Sequence, residues 1–178
     1  NHLKVDYFFD GFELDTLHFP HDKEANYIHQ IDEKVVNEAA QYIQNESPDL
    51  SWVYLEYTDD MGHKYGDSEQ FTKAVQLMDN QVGRLWKAIQ YRQKNFAEEW
   101  QLFITTDHGR DAASGKNHGG QSDRERNTWM VTNAKSLNNY FLGKTGIETI
   151  PAVVDIMPTI AQHLQISIPK EQAFEIDG

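Results

Sequence analysis

Residues 51–67 read SWVYLEYTDDMGHKYGD, and the fold turns on how this stretch divides. Ser51–Tyr57 is rich in β-branched and aromatic side chains and follows Pro48-Asp49, which predicts a buried strand. Asp59–Asp67 carries two glycines and predicts a loop after that strand. Upstream, Ile31, Val35, Val36, Ala39, Ala40 and Ile43 recur at helical spacing and stop before Pro48. Downstream, Phe71, Val75, Met78, Val82, Leu85, Trp86 and Ile89 fall on one apolar stripe, predicting a helix over about 69–96. WQLFITT (100–106) predicts the next strand and TWMVT (128–132) a short third one, with a polar loop region over 107–126. Residues 151–166 predict a last helix, kinked or starting late because Pro158 lies inside it. This alternation predicts an α/β fold with a largely parallel sheet flanked by helices. In such sheets function collects in loops at the carboxyl ends of strands.

The chain has 178 residues, the size of one ordinary domain, and 39% of them are hydrophobic, enough for a packed core. We read 1–178 as a single domain. Residues 1–30 are a candidate insertion or cap: 4–19 (KVDYFFDGFELDTLHF) is aromatic without a clear period, and Pro20-His21-Asp22 reads as a turn. Tyr7, Phe8, Phe9 and Phe12 are candidate stacking groups there, against the plainer reading of a hydrophobic patch packed on the domain. The net charge of -12 repels phosphate polymers and speaks against nucleic-acid binding. With no cysteine, disulfides, thiolate zinc sites, iron–sulfur clusters and a cysteine nucleophile are excluded. No apolar run approaches the ~20 residues of a membrane span. The chain opens Asn1-His2 rather than with Met, which reads as a processed or excised piece.

The chemistry-bearing residues sit in the predicted loops. Asp59 and His63 are four apart, so one helical turn puts both on one side, and Asp60 is a substitute for Asp59. Asp107-His108-Gly109 follows the second strand, where a glycine corner lets neighbouring side chains converge. His118 precedes Gly119-Gly120. Each motif alone reads as a polar turn. Together they offer two carboxylates and three imidazoles, an oxygen/nitrogen set suited to zinc with an open position. Arg110, Lys116, Arg124 and Arg126 crowd the third motif, interleaved with Asp111, Asp123 and Glu125. They are candidate cations for a phosphoryl group or a solvated mixed-charge loop.

The ordered set DDMGHKYG (59–66), TTDHGR (105–110), HGG (118–120) followed by Ser122 and Glu125-Arg126, and VDIMPTI (154–160) resembles the alkaline phosphatase superfamily. Within it the chain is similar to the type I phosphodiesterase/nucleotide pyrophosphatase branch and to related ethanolamine-phosphate transferases. The resemblance implies an alkaline-phosphatase-like core, two zinc ions, a phosphate-ester substrate and a periplasmic or extracellular location. It implies one zinc on Asp59, His63 and His118 and a second on Asp107 and His108. The family's early Asp and its Thr or Ser nucleophile have no match here. Asp10 and Thr16 are the nearest candidates, and their spacing does not fit. The resemblance is therefore to the C-terminal half of such an enzyme, with no catalytic nucleophile in this chain. A sulfatase, which uses calcium, and a manganese-dependent phosphoglycerate mutase resemble it less, since three histidines favour zinc. A non-catalytic metal-binding or interaction domain is the alternative from another class.

Overall fold

The computed structural model describes residues 5–135 and 152–171. Pro151, the first residue of the expected last helix, lies outside them. The chain groups into two compact units, Asn1–Glu99 with Ala113–Asn117, and Trp100–Ala112 with His118–Gly178. Among the described residues no helix is long and apolar enough to cross a membrane.

The first unit is helical: a 3-10 turn at Phe12–Leu14, then α1 (Asn26–Glu46), α2 (Tyr57–Tyr65) and α3 (Glu69–Phe96). Asp22 starts α1 from outside, its carboxylate accepting from the Glu24, Asn26 and Tyr27 amides at 2.9, 3.1 and 2.9 Å. This satisfies amides that a helix start leaves without partners. Ile28, Asp32, Val36 and Ile43 form the buried face of α1. Where α1, α2 and α3 begin, Ile28, Tyr57, Met61 and Ala74 form a small core with Ala25, Tyr27, Tyr65 and Phe71 around it.

α3 has the expected bounds because its signals are local: Ser68 caps it, accepting from the Phe71 amide at 3.2 Å. Its buried face is rotated from the expected stripe. Ala74, Gln81, Leu85, Ala88, Ile89 and Arg92 are buried, while Val75 is 46% exposed. Two buried polar residues, Gln81 and Arg92, lie on this face. Gln81 donates to Glu33 at 2.9 Å, and Arg84 beside it grips Glu33 with two bonds of 2.8 and 2.7 Å. At the other end Arg92 donates to Glu98 at 2.9 Å and to the Gln44 carbonyl at 3.0 Å. A hydrophobicity pattern does not register polar residues that bury themselves by pairing.

Two expectations fail around residue 57. Residues 51–56 pair with no strand among the described residues, and Tyr57 opens a helix. The alternation of a strand is present, with Val53 and Leu55 half-buried and Trp52 and Tyr54 90% and 62% exposed. β-branched and aromatic content reports a surface suited to packing, not a ladder partner. The expected loop 59–67 is mostly α2, which ends at Gly66. There φ is +60°, the amide bonds to the Gly62 carbonyl at 2.8 Å, and a Cβ would lie 2.1 Å from the Ser114 carbonyl oxygen. The start of α2 comes from a distance: Asp32 accepts from the Glu56 and Tyr57 amides at 3.1 and 3.0 Å.

The second unit holds β1 (Phe103–Thr105), α4 (Asp123–Arg126), β2 (Met130–Thr132), a 3-10 turn at Val153–Asp155 and α5 (Ile156–His163). β1 and β2 are antiparallel, with Phe103 opposite Thr132, Ile104 opposite Val131 and Thr105 opposite Met130. Asn133 prolongs the pairing, accepting from the Leu102 amide at 2.7 Å and donating to the Trp100 carbonyl at 2.9 Å. The largely parallel sheet is thus not what the described strands form. A parallel return needs a crossover of a dozen or more residues, usually a helix, and only four-residue α4 lies between them. α5 starts late, as Pro158 allows: it occupies the first turn, where the missing amide proton costs nothing. Asp155 caps the preceding turn, accepting from the Ala152 amide at 2.7 Å.

Burial pushes the Asp32 carboxyl up to about 6, against the pull of its two amide donors. An unfolded Asp titrates near ~3.9, so this group's contribution is most favourable below about pH 4 and is lost as pH rises through 6. In urea unfolding of wild type and Asp32→Asn from pH 4.5 to 7, wild type should lose stability relative to the variant as pH rises. Parallel pH curves would refute the assignment.

Candidate metal centre

In the first unit, α2 presents Asp59 and His63 one turn apart, Oδ2 to Nε2 3.3 Å, with side chains 35% and 46% exposed. This is the pairing that the spacing implies, made by a helix rather than by a loop. Ligand atoms ~2.0–2.2 Å from a tetrahedral zinc stand about 3.3–3.6 Å from each other, so the pair already has the edge length of such a site. Asp60 is drawn into the burial around the start of α2. Desolvation and then the charge of Asp59 push its carboxyl up. Burial, and then Glu13, push the Glu56 carboxyl up to about 7. The helix start is thus a place where acidic groups compete for protons.

In the second unit, Asp107 and His108 follow β1 directly, Oδ1 to Nε2 3.6 Å. His108 Nδ1 lies 2.9 Å from the Gly109 carbonyl oxygen. A carbonyl only accepts, so Nδ1 donates this bond, and Nε2 is the ring nitrogen that faces Asp107. A backbone-anchored imidazole of this kind is the usual way a metal-ligating His is oriented. His118 stacks on His108, ring centroids 3.7 Å apart and 16° from parallel. The structure therefore brings Asp59 to His63 in one unit, and Asp107, His108 and His118 together in the other.

Gly109 serves this corner by close approach rather than by a special turn. Its amide donates to the Glu125 carbonyl at 2.7 Å, and a Cβ would stand 1.9 Å from the Arg124 carbonyl oxygen. α4 is held by a reciprocal cap: Ser122 Oγ accepts from the Glu125 amide while the Glu125 carboxylate accepts from the Ser122 amide, both at 3.3 Å. Glu125 also accepts from the Gly120 amide at 2.9 Å, tying the His118 loop to the same helix. Ser122 and then Gly120 hold its carboxyl below the usual range.

The other candidates are drawn into structure. Arg124 donates to the Asp111 carbonyl at 3.0 Å and Arg126 pairs with Asp123 at 3.1 Å, which favours the mixed-charge loop. Tyr7 stacks on Tyr42 at 4.3 Å and Phe9 meets Phe12 at 4.4 Å, the packed-patch reading, while Phe8 is 75% exposed. Asp10 accepts from its neighbour Gly11 and, like Thr16, is exposed. Sequence reasoning passed over Asp32. Its signal was an acid between Ile28 and Val36 on the inward face of α1.

Carboxylate–imidazole pairs without thiols, placed after a strand and on a short helix, define a candidate metal centre. The chain belongs to the type I phosphodiesterase/nucleotide pyrophosphatase family, whose model matches residues 4–170. Membership carries the alkaline-phosphatase-like α/β fold class. The chain is similar to a venom phosphodiesterase of Naja atra, 37% identical over 68 residues, and to venom phosphodiesterase 2 of Crotalus adamanteus, 35% identical over 68. Each match covers 38% of this chain and 8% of the relative's length. No solved structure matches the chain significantly.

Gly109→Ala should lower stability by about 1–3 kcal/mol, the range for overpacking a filled site. Amide exchange should quicken at Asp107–Gly109 and Ser122–Arg126. Unfolding curves that superimpose on wild type would contradict the close approach.

Proposed function

We propose that this chain supplies the metal-binding residues of a two-zinc phosphodiesterase or pyrophosphatase. Asp59, His63 and His118 would hold one ion, and Asp107 and His108 would contribute to the second. The observation that carries the reading is the 3.3 Å edge between Asp59 Oδ2 and His63 Nε2, a ligand spacing already set on a helix. The oriented His108 ring supports the second site: Gly109 holds its Nδ1, and its Nε2 stands 3.6 Å from an Asp107 carboxylate oxygen. Oxygen and nitrogen donors without thiols fit zinc, and imidazoles at both sites disfavour calcium. Bound as a pair, such ions supply charge to clamp the attacking and leaving oxygens of a phosphoryl displacement.

The chain's own residues hold and orient. Gly109 fixes the His108 ring through its carbonyl, α2 fixes the Asp59–His63 edge, and Glu125 tethers the loop after His118. The family's Thr or Ser nucleophile has no counterpart among these residues, so the attacking group is proposed to come from outside them. The venom phosphodiesterase relatives support a phosphodiester substrate.

Zinc titration against a chromophoric chelator tests the reading. Wild type should bind, and His63→Ala and His118→Ala should each weaken the same site by at least tenfold. Variants that bind like wild type would refute the ligand set. The zinc-loaded chain should turn over an activated aryl phosphodiester well below about 1 s⁻¹, the low end of ordinary enzymes. Faster turnover abolished by His63→Ala would show that the nucleophile lies within the chain.

A further inference from the structure

We propose that Asp32 is a positioning residue for the metal centre: from α1 it sets the start and orientation of α2, and so the placement of Asp59 and His63. The inference rests on the ligand reading above.

Asp32 is 2% exposed, between Ile28 and Val36 on the buried face of α1. Its Oδ1 accepts from the Glu56 amide at 3.1 Å and its Oδ2 from the Tyr57 amide at 3.0 Å. These amides belong to the start of α2, where a helix has no internal acceptors. Glu56, at the cap position, makes no side-chain cap bond of its own. A Ser or Asp at that position could cap α2 locally without burying a carboxylate. A cap supplied from another helix does something a local cap cannot, because it fixes where the new helix stands against its neighbour. Asp59 lies two residues beyond Tyr57 and His63 six, within two turns of the anchored end. At the far end Gly66 stops the helix. Nine residues held at both ends leave the Asp59–His63 edge little room to turn.

The test uses the full chain and metal binding rather than turnover. Zinc affinity and the visible absorption of the cobalt(II) form are measured for wild type, Asp32→Ala, Asp32→Asn and His63→Ala. Measurements are made where far-UV circular dichroism shows each variant folded. Asp32→Ala should bind zinc about 10–100-fold more weakly, the usual effect of removing a partner behind the ligands, with an altered cobalt spectrum. Asp32→Asn keeps one acceptor oxygen and should fall between wild type and Asp32→Ala. It carries the test alone if Asp32→Ala does not fold. Asp32 variants that melt earlier yet keep wild-type affinity and cobalt spectrum, while His63→Ala loses binding, overturn this inference and leave the ligand set standing. Equal binding by wild type and His63→Ala overturns both.

Discussion

The buried Asp32 carboxylate bonded to the first amides of α2 is the contact on which the first unit depends. Isolated helices shorter than about 12–15 residues are marginal in water. α2 has nine residues, two of them adjacent acids and one a glycine, so its sequence does not hold it together. Asp32 satisfies its opening amides, and Tyr57 and Met61 bury its inner side against Ile28 and Ala74. The next residue along α1 serves the other neighbour: Glu33 takes both Arg84 bonds and the Gln81 amide from α3. Two consecutive acids on one helix thus address two different helices. The carboxylates are opposed in environment, with Asp32 held up by burial and Glu33 held down, chiefly by Arg84.

That arrangement explains what the sequence reveals and what it conceals. α3 is legible to the residue because Ser68 and its long periodic run are local signals. α1 is legible in its body, while its start depends on Asp22, four residues before the helix begins. α2 is not legible: its cap lies 25 positions upstream of Tyr57, and Asp-Asp-x-Gly reads locally as a turn. Residues 51–56 show the opposite error. Their alternation is real, but a strand is a property of two segments, and none among the described residues pairs with them. The direction of the β1–β2 pair was within reach, since 107–126 shows no crossover-helix pattern.

The proximity of Asp59 and His63 was more legible than the element that carries them. Side-chain spacing transmits through either a loop or a helix, so Asp59 and His63 meet although the segment was assigned the wrong structure. Gly109 was singled out for conformational freedom, and its use turns out to be space for the Arg124 carbonyl. The motif around Asp155 and Pro158 resolves into helix-start chemistry, with an acid capping a turn and a proline in the first turn of α5. Short motifs therefore mix candidate ligand residues with residues that shape the backbone, such as Gly109 and Pro158.

The two pairs differ in how they are held, and the difference bears on which responds first to disturbance. Asp59 and His63 share one helix, so their separation is fixed by helical pitch and their placement by Asp32 and Gly66. His108 is oriented by its own backbone neighbourhood, and Asp107 beside it is 80% exposed. A side chain that open has few contacts to hold its rotamer. The Asp107–His108 geometry is therefore set mainly by the corner at Gly109, through its bond to the Glu125 carbonyl. The first pair is coupled to the packing of three helices, the second to one hydrogen-bonded loop.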